Sequence, residues 1–207
     1  MKILKELGHS CSMWGMVCVL SVILVACAGT NSPSTFYMLR SMEGPQESLT
    51  SADEKSVSVL VGPISMPEYL DRNQMVTVAG KNQVDLDEFN RWAESLRESF
   101  YRVLLEDLSF LLKTPRVYRY DRSGEDDADY QVSVDVTRFD CAPEGDAVLT
   151  VFWTVHGKDK GTSGIAKKSV FRTPVSSSGF PGMVDALNRT LSAFGREIAT
   201  AIQTLEP

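Results

Sequence analysis

The chain has 207 residues, with 21 Lys and Arg against 27 Asp and Glu for a formal net charge of −6, and 43% of its residues are hydrophobic. Setting aside the first 26 residues, with Lys2, Lys5 and Glu6, leaves 181 residues with 19 basic against 26 acidic side chains, a net of −7. That length suits one domain with a real core, and the acidic balance argues against nucleic acid as a partner; with no cluster of four or more Lys and Arg, electrostatic docking on anionic lipid is also disfavoured.

Residues 13–25 are apolar except for Gly15 and Ser21, and Lys2 and Lys5 precede them, which is the layout of a secretory signal peptide. The run is shorter than the about 20 apolar residues needed to cross a hydrocarbon core. It ends in Leu24-Val25-Ala26-Cys27, followed by Ala28-Gly29-Thr30-Asn31, and this stretch resembles a bacterial lipobox. The resemblance implies a diacylglyceryl group on the Cys27 thiol, cleavage before Cys27 and acylation of the new amino terminus. Residues 1–26 are then a lipoprotein signal peptide, and covalent lipid on Cys27 takes the place of any cofactor. The alternative is that Cys27 is an apolar leader residue like Cys11 and Cys18, with cleavage elsewhere. Two or more acyl chains, at about 0.8 kcal/mol per buried methylene, hold a protein stably at a membrane. Ala28 rather than aspartate follows the cysteine, so the resemblance further implies the outer membrane.

Residues 27–35 read as the lipidated cysteine and a small, polar tether; the eight residues after Cys27 reach about 26 Å when extended. The domain proper spans 36–207. Phe36-Tyr37-Met38-Leu39 is a first strand candidate, and Ser41 to Lys55 is a polar loop. Val57, Val59 and Val61 mark a strand that is expected to stop at Gly62-Pro63. An ordered turn with one helical turn at Glu68 to Asp71 is expected next, followed by a strand at Met75 to Val78.

From Asp87 the period changes. Phe89, Trp92, Ala93, Leu96, Phe100, Val103, Leu104, Leu108 and Leu111 fall at spacings of three and four, predicting a helix that Asp85 or Asp87 caps and Thr114-Pro115 ends. Pro115 to Tyr120 is a short strand. Asp121 to Asp129 is an acidic loop without the alternating oxygen ligands of a calcium loop, so no metal is expected there. Tyr130, Val132, Val134 and Val136 alternate with polar residues as a half-buried strand, and Ala147 to His156 answers it across Pro143-Glu144-Gly145-Asp146, with Phe152 on the opposite face. A third strand near Gly164 to Thr173 completes a meander. After a loop at Ser176 to Gly182, Val184, Leu187, Leu191, Phe194, Ile198, Ile202 and Leu205 predict a second amphipathic helix. The expected fold is a single α+β domain, a largely antiparallel sheet with two amphipathic helices packed on one face.

Catalysis has little to work with. After residue 26 the chain keeps one histidine, His156, and one cysteine besides Cys27, namely Cys141, so no intrachain disulfide forms and no metal site is suggested. A Cys141–His156 dyad is formally available; otherwise Cys141 reads as a small buried residue near a turn. No GxSxG, phosphate-cradling loop or HExxH is present, and no enzyme is expected.

One stretch carries a further resemblance. Val61-Gly62-Pro63, then Tyr69-Leu70-Asp71-Arg72-Asn73-Gln74 running into Met75-Val76-Thr77, then Trp92-Ala93-Glu94-Ser95-Leu96, all behind a lipobox, resembles the PqiC (YmbA-like) family of auxiliary lipoproteins of ABC-type, MCE-associated transport systems. Asn73 and Ser95 stand where proline is common in that pattern. The resemblance implies a non-catalytic lipoprotein on the periplasmic face of the outer membrane, part of an intermembrane lipid transport system. Its implied partners are an MCE-domain protein with its permease and ATPase, and it implies a homo-oligomeric ring. Within the motif, Tyr69, Leu70, Asp71, Arg72 and Gln74 are the candidate partner interface; the other reading is that Asp71 and Arg72 pin a proline turn while Tyr69 and Leu70 pack inward. An alternative function is a lipid-binding module that shields an acyl chain between helices and sheet.

Overall fold

The computed structural model describes residues 33–42, 56–120, 128–158 and 164–205. The expected signal peptide, Cys27, most of the expected tether, residues 43–55 of the expected polar loop and residues 121–127 of the acidic loop lie outside the described residues. Eight strands run in chain order as β1 (Thr35–Tyr37), β2 (Val59–Ser65), β3 (Gln74–Val78), β4 (Val84–Trp92), β5 (Val117–Arg119), β6 (Tyr130–Cys141), β7 (Asp146–Gly157) and β8 (Ile165–Pro174). Helix α1 (Leu96–Leu112) falls between β4 and β5, and α2 (Gly179–Leu205) follows β8.

The fold is α+β, with both helices against one face of a curled mixed sheet. Its long pairings are antiparallel: β3 with β4, β6 with β7, and β7 with β8. Parallel pairing enters where β2 lies between β5 and β6, where β1 joins β4, and where Thr77 of β3 meets Cys141 of β6. In β6 the register shifts between Val136 and Arg138, and this extra residue keeps Phe139 on the buried side with Leu149. The space between helices and sheet is filled by side chains: Phe100 of α1 meets Phe139 edge-on with centroids 5.3 Å apart, and Phe194 of α2 meets Trp153 at 6.2 Å. A shallow depression of about 580 Å³ lies on the other face, lined by residues including Pro63, Asp135, Phe152 and Lys168, and a smaller one of about 350 Å³ lies where α2 meets β7 and β8, lined by residues including Trp153, Ile165, Arg196 and Thr200.

Three predicted boundaries are corrected. Residues 84–92 form β4, and α1 starts only at Leu96. Phe89, counted in the helical stripe, is exposed. Its N–H and that of Asn90 donate to the Asp87 carboxylate, at 2.9 and 2.6 Å, so Asp87 builds an irregular step in a strand rather than a helix cap. The cap is Ser95, whose Oγ accepts from Glu98 N–H.

Secondly, β2 does not stop at Gly62-Pro63. The Gly62–Pro63 bond is cis, the register with β6 shifts there, and the Gly62 carbonyl is taken up by the side chains of Gln131 (3.0 Å) and Ser133 (3.4 Å). A proline at such an irregularity costs the sheet no regular ladder bond. Gly62 has φ +123°, and a Cβ there would overlap Tyr101 Oη and stand 2.7 Å from Tyr120 Cβ, so only glycine fits.

Thirdly, α2 begins at Gly179, within the expected loop. Pro181 lies in its first turn, where a missing N–H leaves nothing unpaired. The segment after β1 is also more than a strand end. Leu39 is fully buried, Arg40 N–H donates to Asn188 Oδ1 of α2 at 3.1 Å, and Met42 N–H donates to Asp107 Oδ1 of α1 at 2.7 Å, so residues 39–42 strap the helix pair.

Candidate partner interface

The turn between β2 and β3 holds the Tyr-Leu-Asp-Arg motif. Pro67 O accepts from Leu70 N–H at 3.0 Å and from Asp71 N–H at 3.3 Å, which makes the single helical turn expected at Glu68 to Asp71. The motif's side chains then diverge. Leu70 is 1% exposed and plugs the core. Tyr69 is half-buried, its Oη donates to Asp140 Oδ2 at 3.4 Å, and burial together with the Asp140 charge holds its phenol above the ordinary value. Asp140 is itself buried and paired with Arg138 Nε at 2.8 Å.

Asp71 ties the turn to α1. Ser95 Oγ donates to Asp71 Oδ1 at 2.9 Å, and Arg97 pairs with the other carboxylate oxygen. A carboxylate beside the first turn of a helix also meets its positive end. The next residues of α1 extend this brace: Glu98 takes both Nη groups of Arg119 at 2.6 and 2.9 Å, and Arg119 lies 4.2 Å over the Tyr101 ring. Tyr101 Oη in turn donates to Val61 O, next to Gly62.

Arg72 and Gln74 remain partly exposed. Among the described residues the buried Nε of Arg72 has no hydrogen-bond partner, and Gln74 stands cross-strand from Arg91, whose Nε is likewise buried without one. So the structure brings the motif together as a turn, commits Tyr69, Leu70 and Asp71 to the fold, and leaves Arg72 and Gln74 at the surface. Ser95 was missed as a member of this site, although Ser95-Leu96-Arg97-Glu98 is a capping-box pattern that signals a helix start.

The dyad is excluded by position. Cys141 pairs with Ala147 at one end of the β6–β7 ladder and His156 with Gln131 near the other, ten residues away along β6, or roughly 33 Å. Cys141 is buried, and burial pushes its thiol up to about 11, far from a nucleophile's range. Among the described residues no three His, Cys, Asp or Glu side chains converge as a metal site, and no helix is long and apolar enough to cross a membrane.

The sequence model of one family, described as an ABC-type transport auxiliary lipoprotein component, matches residues 37–199. The chain belongs to this family. Membership makes it a lipoprotein component auxiliary to a transport system, in agreement with the resemblance carried by Val61 to Leu96. A solved structure described only as an uncharacterized protein shares 22% identity at a TM-score of 0.66, covering 83% of this chain and 99% of that one. A Xanthomonas campestris protein shares 16% at 0.62, covering 82% and 96%. Both show that the auxiliary lipoprotein fold is shared over nearly the whole of those chains. No relative is found among curated proteins.

Proposed function

We propose that this auxiliary lipoprotein is a non-catalytic accessory subunit of an MCE-type, Pqi-like intermembrane lipid transport system, anchored through lipid on Cys27 to the periplasmic face of the outer membrane. The observation that carries the reading is the family match over residues 37–199, to which the lipobox adds an address. The domain docks on the periplasmic assembly of the transporter, as a homo-oligomeric ring in keeping with the symmetry of such assemblies. Within the motif the docking contacts fall to Arg72 and Gln74, while Tyr69, Leu70 and Asp71 shape the turn that presents them. Arginine is enriched among interface anchors, and the Arg72 and Gln74 side chains stay partly exposed beside the turn.

Affinity purification of the tagged protein from membranes tests this. The wild type is expected to recover an MCE-domain protein with its permease or ATPase, and a variant carrying Arg72→Ala and Gln74→Ala is expected to lose them while unfolding at the wild-type urea midpoint. Reproducible absence of every such partner from the wild-type sample sinks the assignment. Cys27→Ala is expected to leave the outer-membrane fraction; retention there overturns the anchor.

A further inference from the structure

The outer face of β1, β3 and β4, turned away from the helices, is apolar and bare. Cross-strand partners share a face, so the register assigns it directly. Phe36 pairs with Arg91, Gln74 with Arg91, Val76 with Leu86 and Val78 with Val84, whereas buried Met75 and Thr77 face the core with Asp87 and Asp85 as partners. Phe36 is 62% exposed, Phe89 51%, and Val84 and Leu86 43% each. Three large apolar side chains in the open on this face, Phe36, Val84 and Leu86, with exposed Phe89 in the irregular step between them, are more than the scattered exposed residues of an ordinary surface.

We infer that this face is seated against the lipid bilayer that carries the chain's own anchor. The inference rests on lipidation of Cys27. Phe36 is nine residues beyond Cys27, so an anchored chain holds β1 within about 32 Å of the membrane whatever path the tether takes. That keeps this edge of the sheet within reach of the bilayer in every anchored copy of the protein. Aromatic and aliphatic side chains beside an arginine suit the interfacial zone, where rings settle at headgroup depth and a guanidinium meets phosphate. Arg91 stands cross-strand from Phe36, and Glu88 beside Phe89 favours a bilayer rich in zwitterionic headgroups. Because the tether already confines the domain, even a weak apolar contact is populated. The contact fixes the orientation of the domain and sets Arg72 and Gln74, on the row next to Phe36 and Arg91, where a transporter meets the membrane.

Depth-dependent quenching on the full-length, processed lipoprotein tests the contact. A single environment-sensitive fluorophore is placed by Leu86→Cys, or by Val84→Cys if the first variant folds poorly, with Thr200→Cys on exposed α2 as reference. Cys141 is buried and takes no label. In vesicles of phosphatidylethanolamine with a minor fraction of phosphatidylglycerol, bromine-bearing lipid is expected to quench the sheet label about threefold more than the Thr200 label, with a blue-shifted emission. Equal quenching of both labels by aqueous iodide overturns the inference while leaving the anchor intact. So does a sheet label shielded from both quenchers, which indicates a second copy on this face. Failure of the anchor itself reads out separately, as Cys27→Ala protein that still fractionates with the outer membrane.

Discussion

Asp107 shows how one carboxylate sets a pH dependence. It is fully buried at the α1–α2 contact, where its Oδ1 holds the strap through Met42 N–H and its Oδ2 has no partner among the described residues. Burial pushes its acid up to about 6 from 3.8, with the Met42 bond, the Arg196 charge and the nearby Ser192 hydroxyl pulling the other way and the Glu106 charge adding to the rise. A folded value above the unfolded one means the native state holds the extra proton, so the contribution is full below about pH 3.8 and is lost as pH rises through about 6. Between about pH 5 and about pH 7 the loss is about 1.4 kcal/mol. Glu94 and Glu98 oppose this only at lower pH: the Ser99 and Arg102 bonds to the first, and the Arg119 bonds to the second, lower their values, and the stability they add is lost as pH falls through those lowered values. Urea midpoints at about pH 5 and about pH 7 check the prediction, since Asp107→Asn is expected to remove most of the slope in this window. A slope unchanged in the variant refutes it. Nothing in the sequence marked this residue, because Asp107 belongs to a helical pattern whose polar positions all read as solvent-facing; only the approach of Gly195, where a Cβ would come within 3.4 Å of Asp107 Cβ, closes the site.

At the scale of elements, the turn at Pro67 to Gln74 and the start of α1 act as one unit. Ser95 caps α1 and donates to Asp71, so its loss removes a cap and leaves Asp71 short of a donor. Ser95→Ala is expected to cost about 1–2 kcal/mol. Asp71→Ala is expected to cost less on its own, since its pair with Arg97 is half in solvent. The two losses overlap, and a double-mutant cycle in urea is expected to return a coupling of about 0.5–1 kcal/mol; strict additivity counts against the shared brace. This unit also shows where periodicity misleads. Phe89, Trp92 and Leu96 keep a helical spacing across a strand, a loop and a helix start, because Trp92 is buried from β4 and Leu96 from α1. Hydrophobic spacing records burial without recording which element delivers it, whereas the capping residues mark the boundary itself. The strands β6 to β8 were legible because consecutive hairpins bury alternate residues locally. The passage of β2 through Gly62-Pro63 was not, since the partners that take up the freed carbonyl, Gln131 and Ser133, are some seventy residues away.

For the molecule as a whole, the two faces of the sheet divide the work. The inner face is closed by Phe100, Phe139, Phe194 and Trp153, and the outer face is left to water or to partners. The parallel insertion of β2 between β5 and β6 sets this arrangement, and its order depends on contacts far apart in sequence, which patterning along the chain does not encode. The lipoprotein character that the family match shows was, by contrast, legible in a few residues, because a lipobox is a linear segment. Charge then decides how the domain stays at its membrane. With 19 basic against 26 acidic side chains from Cys27 onward, the net of −7 disfavours anionic lipid, and the attachment proposed above is apolar, through acyl chains and the face carrying Phe36, Val84 and Leu86. Salt is therefore expected to act in the unusual direction. Washing membranes with about 1 M salt shortens the screening length to about 3 Å, which strips proteins held by Lys and Arg but here removes only a repulsion. The lipoprotein is expected to stay in the pellet at least as completely as in low salt, measured by immunoblotting of both fractions. Release into the supernatant at high salt identifies an electrostatic attachment and contradicts the apolar one, whichever residues make it.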